Sequence, residues 1–454
     1  MIPMRLDEIA AVVGGEVHGD PALAVTGTAY VDSRSPVPGG LFVAIVGERV
    51  DGHEYAGGAH AVLGSRPTGA PTVVVADPVV ALGRLARHVV ARTPATVLTL
   101  TGSQGKTGTK DYLAGVLELL AGGDRVAATE GNGNNEIGVP LTVLRAGAAT
   151  DYLVVEMGAR GVGHIRYLCE IAPPRIAAVL NVGTAHVGEF GGREQIALAK
   201  GEIVEALPAD GAAVLNADDP LVAAMASRTR APVVTFGRGG SLRYDAVELD
   251  ALGRPGFTLA HHDEAHPVQL LQSGAHQAQN AAAAAAMALA AGFPLADVAG
   301  ALSEIAPASR WRMEVEERSD GMVVVNDAYN ANPDSMRAAL EALVAIGRAR
   351  GRRTVAVLGQ MMELGAEHEA GHRSVGTDAV RLGVDVVVVV GDPAAPIAEA
   401  ITAADGPVVI RTEGREEALA WVRQNAGPED VVLVKASRGV ALEWVAEKLL
   451  GDPG

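Results

Sequence analysis

A single cysteine, Cys169, occurs in 454 residues, so no intrachain disulfide and no thiolate-bound metal cluster can form. Aromatic residues supply only 3% of the chain, which leaves Ala, Val and Leu to fill its cores. Basic residues are outnumbered: 37 Lys and Arg against 54 Asp and Glu give a formal net charge of -17. A surface of that sign repels polyanions, and nucleic acid, which is held by clustered Lys and Arg, is not an expected partner. Long apolar runs are missing as well. The opening residues 1–8 carry no apolar core of signal-peptide type. The most apolar stretch, residues 281–291, is mostly alanine and too short to span a bilayer. The chain is expected to be cytoplasmic, monomeric and without a membrane insertion.

What is present is the composition of a globular protein, 48% hydrophobic and 20% charged, which excludes a wholly disordered chain. The length implies about three domains. Residues 1–93 mix short strands with Gly/Pro turns such as Pro36-Val37-Pro38-Gly39-Gly40. Residues 94–310 alternate strand-like and helical segments, with apolar runs at 97–101, 152–156, 176–182 and 212–216. Short runs bounded by Gly, Asn or Asp are how a buried parallel sheet reads. Inside this region, residues 243–272 alternate around Leu252-Gly253-Arg254-Pro255-Gly256, a small antiparallel insertion. Residues 311–454 restart the alternation, with strands at 323–326, 354–358, 386–390, 408–411 and 431–434 and amphipathic helices at 336–349 and 415–424. That order implies a second parallel sheet of doubly wound type. The expected fold class is α/β in three domains. They are a small N-terminal α/β unit, a central P-loop-type parallel sheet with an antiparallel insertion, and a C-terminal Rossmann-like doubly wound unit.

The sharpest local signal is an apolar strand running into Gly102-Ser103-Gln104-Gly105-Lys106-Thr107-Gly108, which opens a helix through Tyr112, Leu113, Val116 and Leu117. Glycines let backbone N–H groups close around phosphate oxygens at a helix N-terminus, where the dipole is positive. Lys106 would hold the outer phosphates and the Thr107 hydroxyl would ligate Mg²⁺. The loop is shorter than the usual one, because position 100 is Leu and the earlier Gly is Gly102. A Gly-rich turn with an exposed lysine is the competing reading, and the strand–loop–helix context favours the phosphate site.

Glu156 and His186 both follow predicted strands, the second of which ends at Val182. Strand carboxyl ends border the ligand crevice of an open parallel sheet, so Thr107, Glu156 and His186 are expected to converge on one cation. Taken singly, Glu156 also reads as a helix-start carboxylate and His186 as a loop histidine. Lys200 reads by itself as a solvated helix lysine, and His276, Gln277 and Asn280 as a capping and packing cluster. Asp327, Tyr329, Asn330 and Asn332 form a polar loop at a strand end, a usual place for function.

Set together, these segments resemble the Mur ligase family along nearly the whole chain. The matching runs include Asp32-Ser33-Arg34, Asn134-Asn135-Glu136-Ile137-Gly138, Glu156-Met157-Gly158-Ala159, Ala199-Lys200-Gly201-Glu202 and Val434-Lys435-Ala436-Ser437-Arg438. The run Tyr329-Asn330-Ala331-Asn332-Pro333-Asp334 resembles the branch that adds D-alanyl-D-alanine to UDP-N-acetylmuramoyl-tripeptide, where the branch that adds the third peptide residue has Tyr-Ala-His. The resemblance implies an ATP-dependent, Mg²⁺-requiring ligase that makes a peptide bond through an acyl-phosphate in cell-wall precursor synthesis.

It further implies that Gly102, Ser103, Gly105, Lys106, Thr107 and Gly108 hold the ATP phosphates. Asn280 would contact adenine, Arg312 the nucleotide, and Asp327 the region of the γ-phosphate. Thr107, Glu156, His186 and a carbamylated Lys200 would be the metal positions, with Lys106, Lys200, His186 and Asp327 serving catalysis. Ser33, Arg34, Asn134, Asn135, Tyr329, Asn330 and Asn332 would handle substrates. The three domains would take the UDP-sugar peptide (1–93), ATP (94–310) and the incoming amine (311–454). One departure stands out: family members commonly carry Asn where this chain has Gln277. Rival readings are a sister amide ligase with another amine, a folylpolyglutamate synthase, a P-loop switch that only hydrolyses ATP, and a nucleotide-binding scaffold.

Overall fold

The computed structural model describes residues 1–47, 50–183, 192–362 and 364–451. Their strands pair into four sheets. Met4–Arg5 pairs with Ala24–Val25, and a five-stranded sheet runs in the order Glu16–His18, Thr72–Val74, Ala61–Gly64, Leu41–Val43, Ala29–Tyr30. The helix Pro78–Val90 leads out of this region. Asp77 caps it, its Oδ1 accepting from Val79 N at 2.8 Å and Val80 N at 3.1 Å, with Pro78 in the first turn, where its missing N–H costs nothing. Leu82, Leu85 and Val89 on one face of this helix join a core shared with Val97, Leu153, Leu168 and Ile171.

The nine-stranded sheet has Thr96–Thr101 well inside it, between Ile176–Val179 and Tyr152–Glu156. All three run parallel, with Glu156 opposite Leu100 and Val179 opposite Thr101. Their carboxyl ends therefore stop at one level, and the loop after Thr101 emerges between two neighbours. The helix Lys106–Ala121 packs against Gln277–Ala290, whose alanines 281–286 are all fully buried. Methyl side chains let this second helix lie in the interior where aromatics are scarce.

The antiparallel insertion is present as Leu242–Leu249, Pro255–His261 and Glu264–Gln269, appended to the far edge of the same sheet. Its turn falls slightly earlier than expected. Asp250 Oδ1 accepts from Leu252 N at 2.8 Å and Arg254 N at 2.9 Å, so the reversal closes before Pro255, which begins the next strand. The strand expected over 176–182 stops at Val179. A side chain replaces a ladder partner beyond it, since Asp219 Oδ2 accepts from Val182 N at 2.8 Å. Val126–Ala128 and Val233–Phe236 were not anticipated, being too short and too little alternating to stand out.

In the six-stranded sheet the order is Glu314–Glu317, Val323–Asn326, Asp430–Lys435, Arg353–Leu358, Val386–Val390, Val408–Thr412, parallel except at the first edge. Two cores flank it. Leu340, Leu343, Val375 and Ile397 fill one face, and Leu419, Val422, Val445 and Leu449 the other. This is the doubly wound arrangement expected from the sequence, and the α/β class with parallel sheets holds for the whole chain.

Cys169 is buried 3.7 Å from Met157 Sδ, and desolvation pushes its thiol up to about 12. No helix among the described residues is long and apolar enough to cross a membrane.

Gly376 lies where the helices His368–Leu382 and Ala395–Ala403 touch. An added Cβ would sit 2.4 Å from Ile397 O and 2.9 Å from Ala400 Cβ. Gly376→Ala is expected to force the helices apart and cost about 1–3 kcal/mol. Scanning calorimetry should show the unfolding midpoint lowered by several degrees; an unchanged midpoint would contradict this packing.

Candidate functional site

The loop 102–105 is braced from one side by the segment after Ile176–Val179. Asn181 Oδ1 accepts from Gln104 N at 2.9 Å, Asn181 Nδ2 donates to Gln104 O at 3.2 Å, and Ser103 Oγ accepts from Gly183 N at 2.9 Å. Gly105 caps the following helix with φ +76, a left-handed conformation open to glycine at no steric cost. A Cβ there would lie 2.3 Å from Asn280 Oδ1. The glycine thus serves two ends, since it turns the chain and seats the Asn280 amide against the loop. Gln277 in turn accepts from Asn280 Nδ2 at 2.9 Å, so the residue that departs from the family pattern orients the one that keeps it. Lys106 Nζ arches back over the loop, donating to Gly102 O at 2.8 Å and Ser103 O at 3.3 Å. Desolvation holds its pKa below the ordinary lysine value, with nearby Glu156 opposing that shift.

At the end of the next strand, Glu156 is 1% exposed and its carboxylate is shared. Thr107 Oγ1 donates to Oε2 at 3.0 Å and Asn134 Nδ2 donates to Oε1 at 2.8 Å. Lys200, a solvated helix lysine by its sequence alone, is instead buried. It is 5% exposed and lines the same cleft. Among the described residues no carboxylate pairs with it. Burial, reinforced by the charge of Lys106, holds its pKa well below the usual value.

The opposite wall comes from the six-stranded sheet. Asp327 follows the strand Val323–Asn326 and Lys435 ends the adjacent strand. Lys435 Nζ, in a side chain 2% exposed, donates to Asp327 Oδ2 at 2.5 Å and Asn330 O at 2.9 Å. Asp327 Oδ1 accepts from Met313 N at 3.1 Å. The Arg312 guanidinium lies 4.0 Å over the Tyr329 ring, a cation–π contact. His276 faces the Asp327–Lys435 pair, and burial keeps its pKa below the ordinary imidazole value. Between the walls lies a cleft of about 650 Å³, within the size range of small-molecule sites.

Residues 100–288 match the model of the Mur ligase middle domain, and residues 311–438 that of the Mur ligase, glutamate ligase domain. The chain is 46% identical to the UDP-N-acetylmuramoyl-tripeptide–D-alanyl-D-alanine ligase of Mycobacterium tuberculosis (strain ATCC 25618 / H37Rv), over 100% of this chain and 98% of the relative. The chain belongs to the Mur ligase family. The enzyme of the same name from Escherichia coli (strain K12) is 35% identical over 99% of both chains. Among solved structures, MurF from Acinetobacter baumannii superposes with a TM-score of 0.87 at 31% identity, covering 99% of each chain. The MurF ligase of Thermotoga maritima, solved in complex with ADP, gives a TM-score of 0.80 at 30% identity, covering 94% of this chain and 98% of that one. The expectation of a ligase, rather than a hydrolytic switch or an inert scaffold, is thereby borne out.

In this Mur ligase the cleft brings together most of the residues singled out from sequence. Gly102, Ser103, Gly105, Lys106, Thr107 and Gly108 line it, as do Glu156, Lys200, Asn280, Arg312 and Asp327. Asn134, Asn135, Tyr329, Asn330 and Asn332 line it too. Three of these asparagines have local work. Asn135 Oδ1 accepts from Ile137 N at 3.1 Å and Gly138 N at 2.9 Å, Asn330 Oδ1 accepts from Ala331 N at 2.8 Å, and Asn332 caps the helix Pro333–Arg350. Ser33 and Arg34 are not part of the cleft wall. Arg34 is exposed and forked onto Asp32. His186 lies outside the described residues.

Lys435 and Arg438, to which the sequence alone assigns no role, line the cleft, as do Arg160 and His164, which carry no motif signal. A signal for Lys435 was available, because only five lysines occur in the chain and this one ends a buried strand.

Asn332→Ala removes the Oδ1 that accepts from Ser335 N at 2.9 Å. It is expected to cost about 1 kcal/mol of stability whatever it does to turnover. A denaturation midpoint equal to that of the unaltered enzyme would place the side chain outside the cap.

Proposed function

We propose that this chain joins D-alanyl-D-alanine to UDP-N-acetylmuramoyl-tripeptide at the expense of ATP, as a ligase of peptidoglycan precursor synthesis. The observation that carries the reading is a single cleft in which a phosphate-type loop and a buried hydroxyl–carboxylate pair face a lysine–aspartate wall. Whole-length identity of 46% to a ligase of that name supports the choice of substrates. Three units, 1–93, 94–310 and 311–454, would hold the UDP-sugar peptide, ATP and the dipeptide in turn.

The chemistry follows from charge. The terminal carboxylate of the tripeptide must approach the γ-phosphate of ATP, anion against anion, to form an acyl-phosphate as the bond to the β–γ bridging oxygen breaks and ADP leaves. Catalysis is then largely neutralisation and positioning. Lys106 can swing from its loop carbonyls to the phosphates, the helix N-terminus presents backbone N–H groups, and Arg312 and Lys435 add positive charge from the other wall. Asn280, held by Gln277, would contact the base. The dipeptide's amine, in its neutral form, then attacks the acyl carbon to give a tetrahedral species, which loses a proton and expels phosphate to leave the amide. Closure of the two walls would keep water from the acyl-phosphate.

The residues present fit a magnesium ion. No cluster of three or more His, Cys, Asp or Glu suited to a metal is gathered among the described residues. Mg²⁺ needs none, as it is commonly held by one or two carboxylates plus phosphate oxygens and water. Thr107 Oγ1 and Glu156 are hard oxygen donors already 3.0 Å apart. When bound there, the ion would draw charge off the transferring phosphoryl group. Lys200, buried without a carboxylate partner among the described residues, is suited to carbamylation, which turns an uncompensated cation into an anion facing that ion.

Phosphate release should require ATP, UDP-N-acetylmuramoyl-tripeptide and D-alanyl-D-alanine together, with other amines tested one at a time giving little. Lys106→Ala should lower it by roughly 100- to 1,000-fold or more while leaving the fold intact. Acceptor-independent hydrolysis, or full activity in the folded variant, would overturn the reading. Lys200 generates a separate expectation. Enzyme stripped of carbon dioxide should lose turnover and regain it with bicarbonate, and Lys200→Arg should be inactive at any bicarbonate level. Indifference to bicarbonate would remove the carbamate.

A further inference from the structure

We propose that Arg438 receives the terminal carboxylate of the incoming dipeptide, with Trp311 holding its guanidinium in place. The inference rests on the D-alanyl-D-alanine reading above and adds a residue to it.

The cations of the cleft divide by what already engages them. Lys106 covers its own loop, Lys200 is buried at 5% exposure within the field of Lys106, Lys435 is tied to Asp327 at 2.5 Å, and Arg160 Nη1 donates to Glu136 Oε1 at 3.1 Å beside the Asn134 wall. Arg312 stacks on Tyr329. Arg438 stands at the rim of the opposite wall, just past the buried strand Asp430–Lys435, with its side chain 49% exposed. Glu443 bonds its Nη1. A guanidinium carries five N–H donors, and that bond uses one. The planar fork matches a carboxylate in two-point geometry, which an ammonium cannot.

The support beneath this fork is unusually elaborate for a surface arginine. Its centre lies 4.1 Å from the Trp311 ring centroid. Arg310 stacks on the same ring at 5.1 Å. Trp311 Nε1 and Arg310 Nη2 donate to Glu447 Oε1 at 3.0 and 3.1 Å, which pins the indole to the last helix, Glu443–Leu450. Trp311 itself sits at φ 58 and Met313 at φ 51. Such conformations cost a bulky residue about 1–3 kcal/mol and persist only where surroundings hold them, commonly at ligand clamps. Arg312, between the two, lines the cleft, and the indole before it lies against Arg438.

The neighbouring wall suits the rest of a dialanine. Met362, Ala338 and Ala339 line the cleft with Gly439, and Ser437 Oγ fixes Met362 by accepting from its N at 2.8 Å. These groups are small or apolar and offer no counter-charge. A carboxylate entering a protein of net charge -17 needs fixed donors to meet it, and at this rim they are the exposed N–H groups of Arg438 that its ion pair with Glu443 leaves open. The amine end of the dipeptide then points inward to the acyl carbon.

The test compares D-alanyl-D-alanine with its C-terminal amide as amine substrate. The unaltered enzyme should favour the acid by roughly 10- to 100-fold in kcat/KM. Arg438→Gln should shrink that ratio to within about threefold, with KM for ATP and for the UDP-tripeptide little changed. Arg438→Lys should retain part of the preference, and Trp311→Phe, which keeps the ring but drops its bond to Glu447, should fall between. If the unaltered enzyme does not couple the dipeptide, the functional reading fails and takes this inference with it. If it couples the dipeptide and Arg438→Gln or Arg438→Lys keeps the full acid-over-amide ratio, Arg438 alone is refuted.

Discussion

The burial of ammonium groups is the constraint around which this molecule is arranged. Of its five lysines, Lys110, Lys200 and Lys435 are at most 5% exposed, and Lys106 sits with the last two in the cleft wall. Removing an ammonium from water costs several kcal/mol unless something nearby offsets it. Asp111 answers Lys110, Asp327 answers Lys435, and loop carbonyls answer Lys106. Lys200 has no such answer among the described residues. Arginine, which stays charged almost anywhere, is left to populate the surface. Among the described residues of the cleft wall, Lys200 is thus the buried ammonium left least compensated.

Strand register brings these groups within reach of one another. Because Leu100 pairs with Glu156 and Thr101 with Val179, the phosphate-type loop, the buried carboxylate and the Asn181 brace end at one height on the sheet. In the second sheet, Asn326 lies opposite Val434, so Asp327 and Lys435 leave adjacent strands together and meet. Neither arrangement depends on a long or flexible connection. Each follows from parallel pairing, which aligns carboxyl ends by construction.

Much of this was legible in the sequence, and the reasons differ by feature. The parallel strands stood out because both faces are covered, which leaves runs of Val, Ala and Leu with no polar alternation. The loop at 102–105 stood out because its glycines are needed, Gly105 having no room for a Cβ beside Asn280. Lys200 was unreadable, since a buried lysine and a solvated one look identical along a helix. The same holds for the turn that Asn135 closes and for the cap role of Asn332, which pattern alone does not separate from ligand contacts. Arg438 was hidden for another reason. Its support comes from Trp311, more than a hundred positions away, and no local spacing reports a contact of that range.

Cys169 carries one practical implication. Buried, and with its thiol displaced to about 12, it presents almost no thiolate at neutral pH. The native chain is therefore nearly silent to maleimides and other sulfur-seeking reagents. A cysteine introduced on each rim of the cleft would be labelled alone, giving a clean optical ruler for the distance between the two walls during turnover.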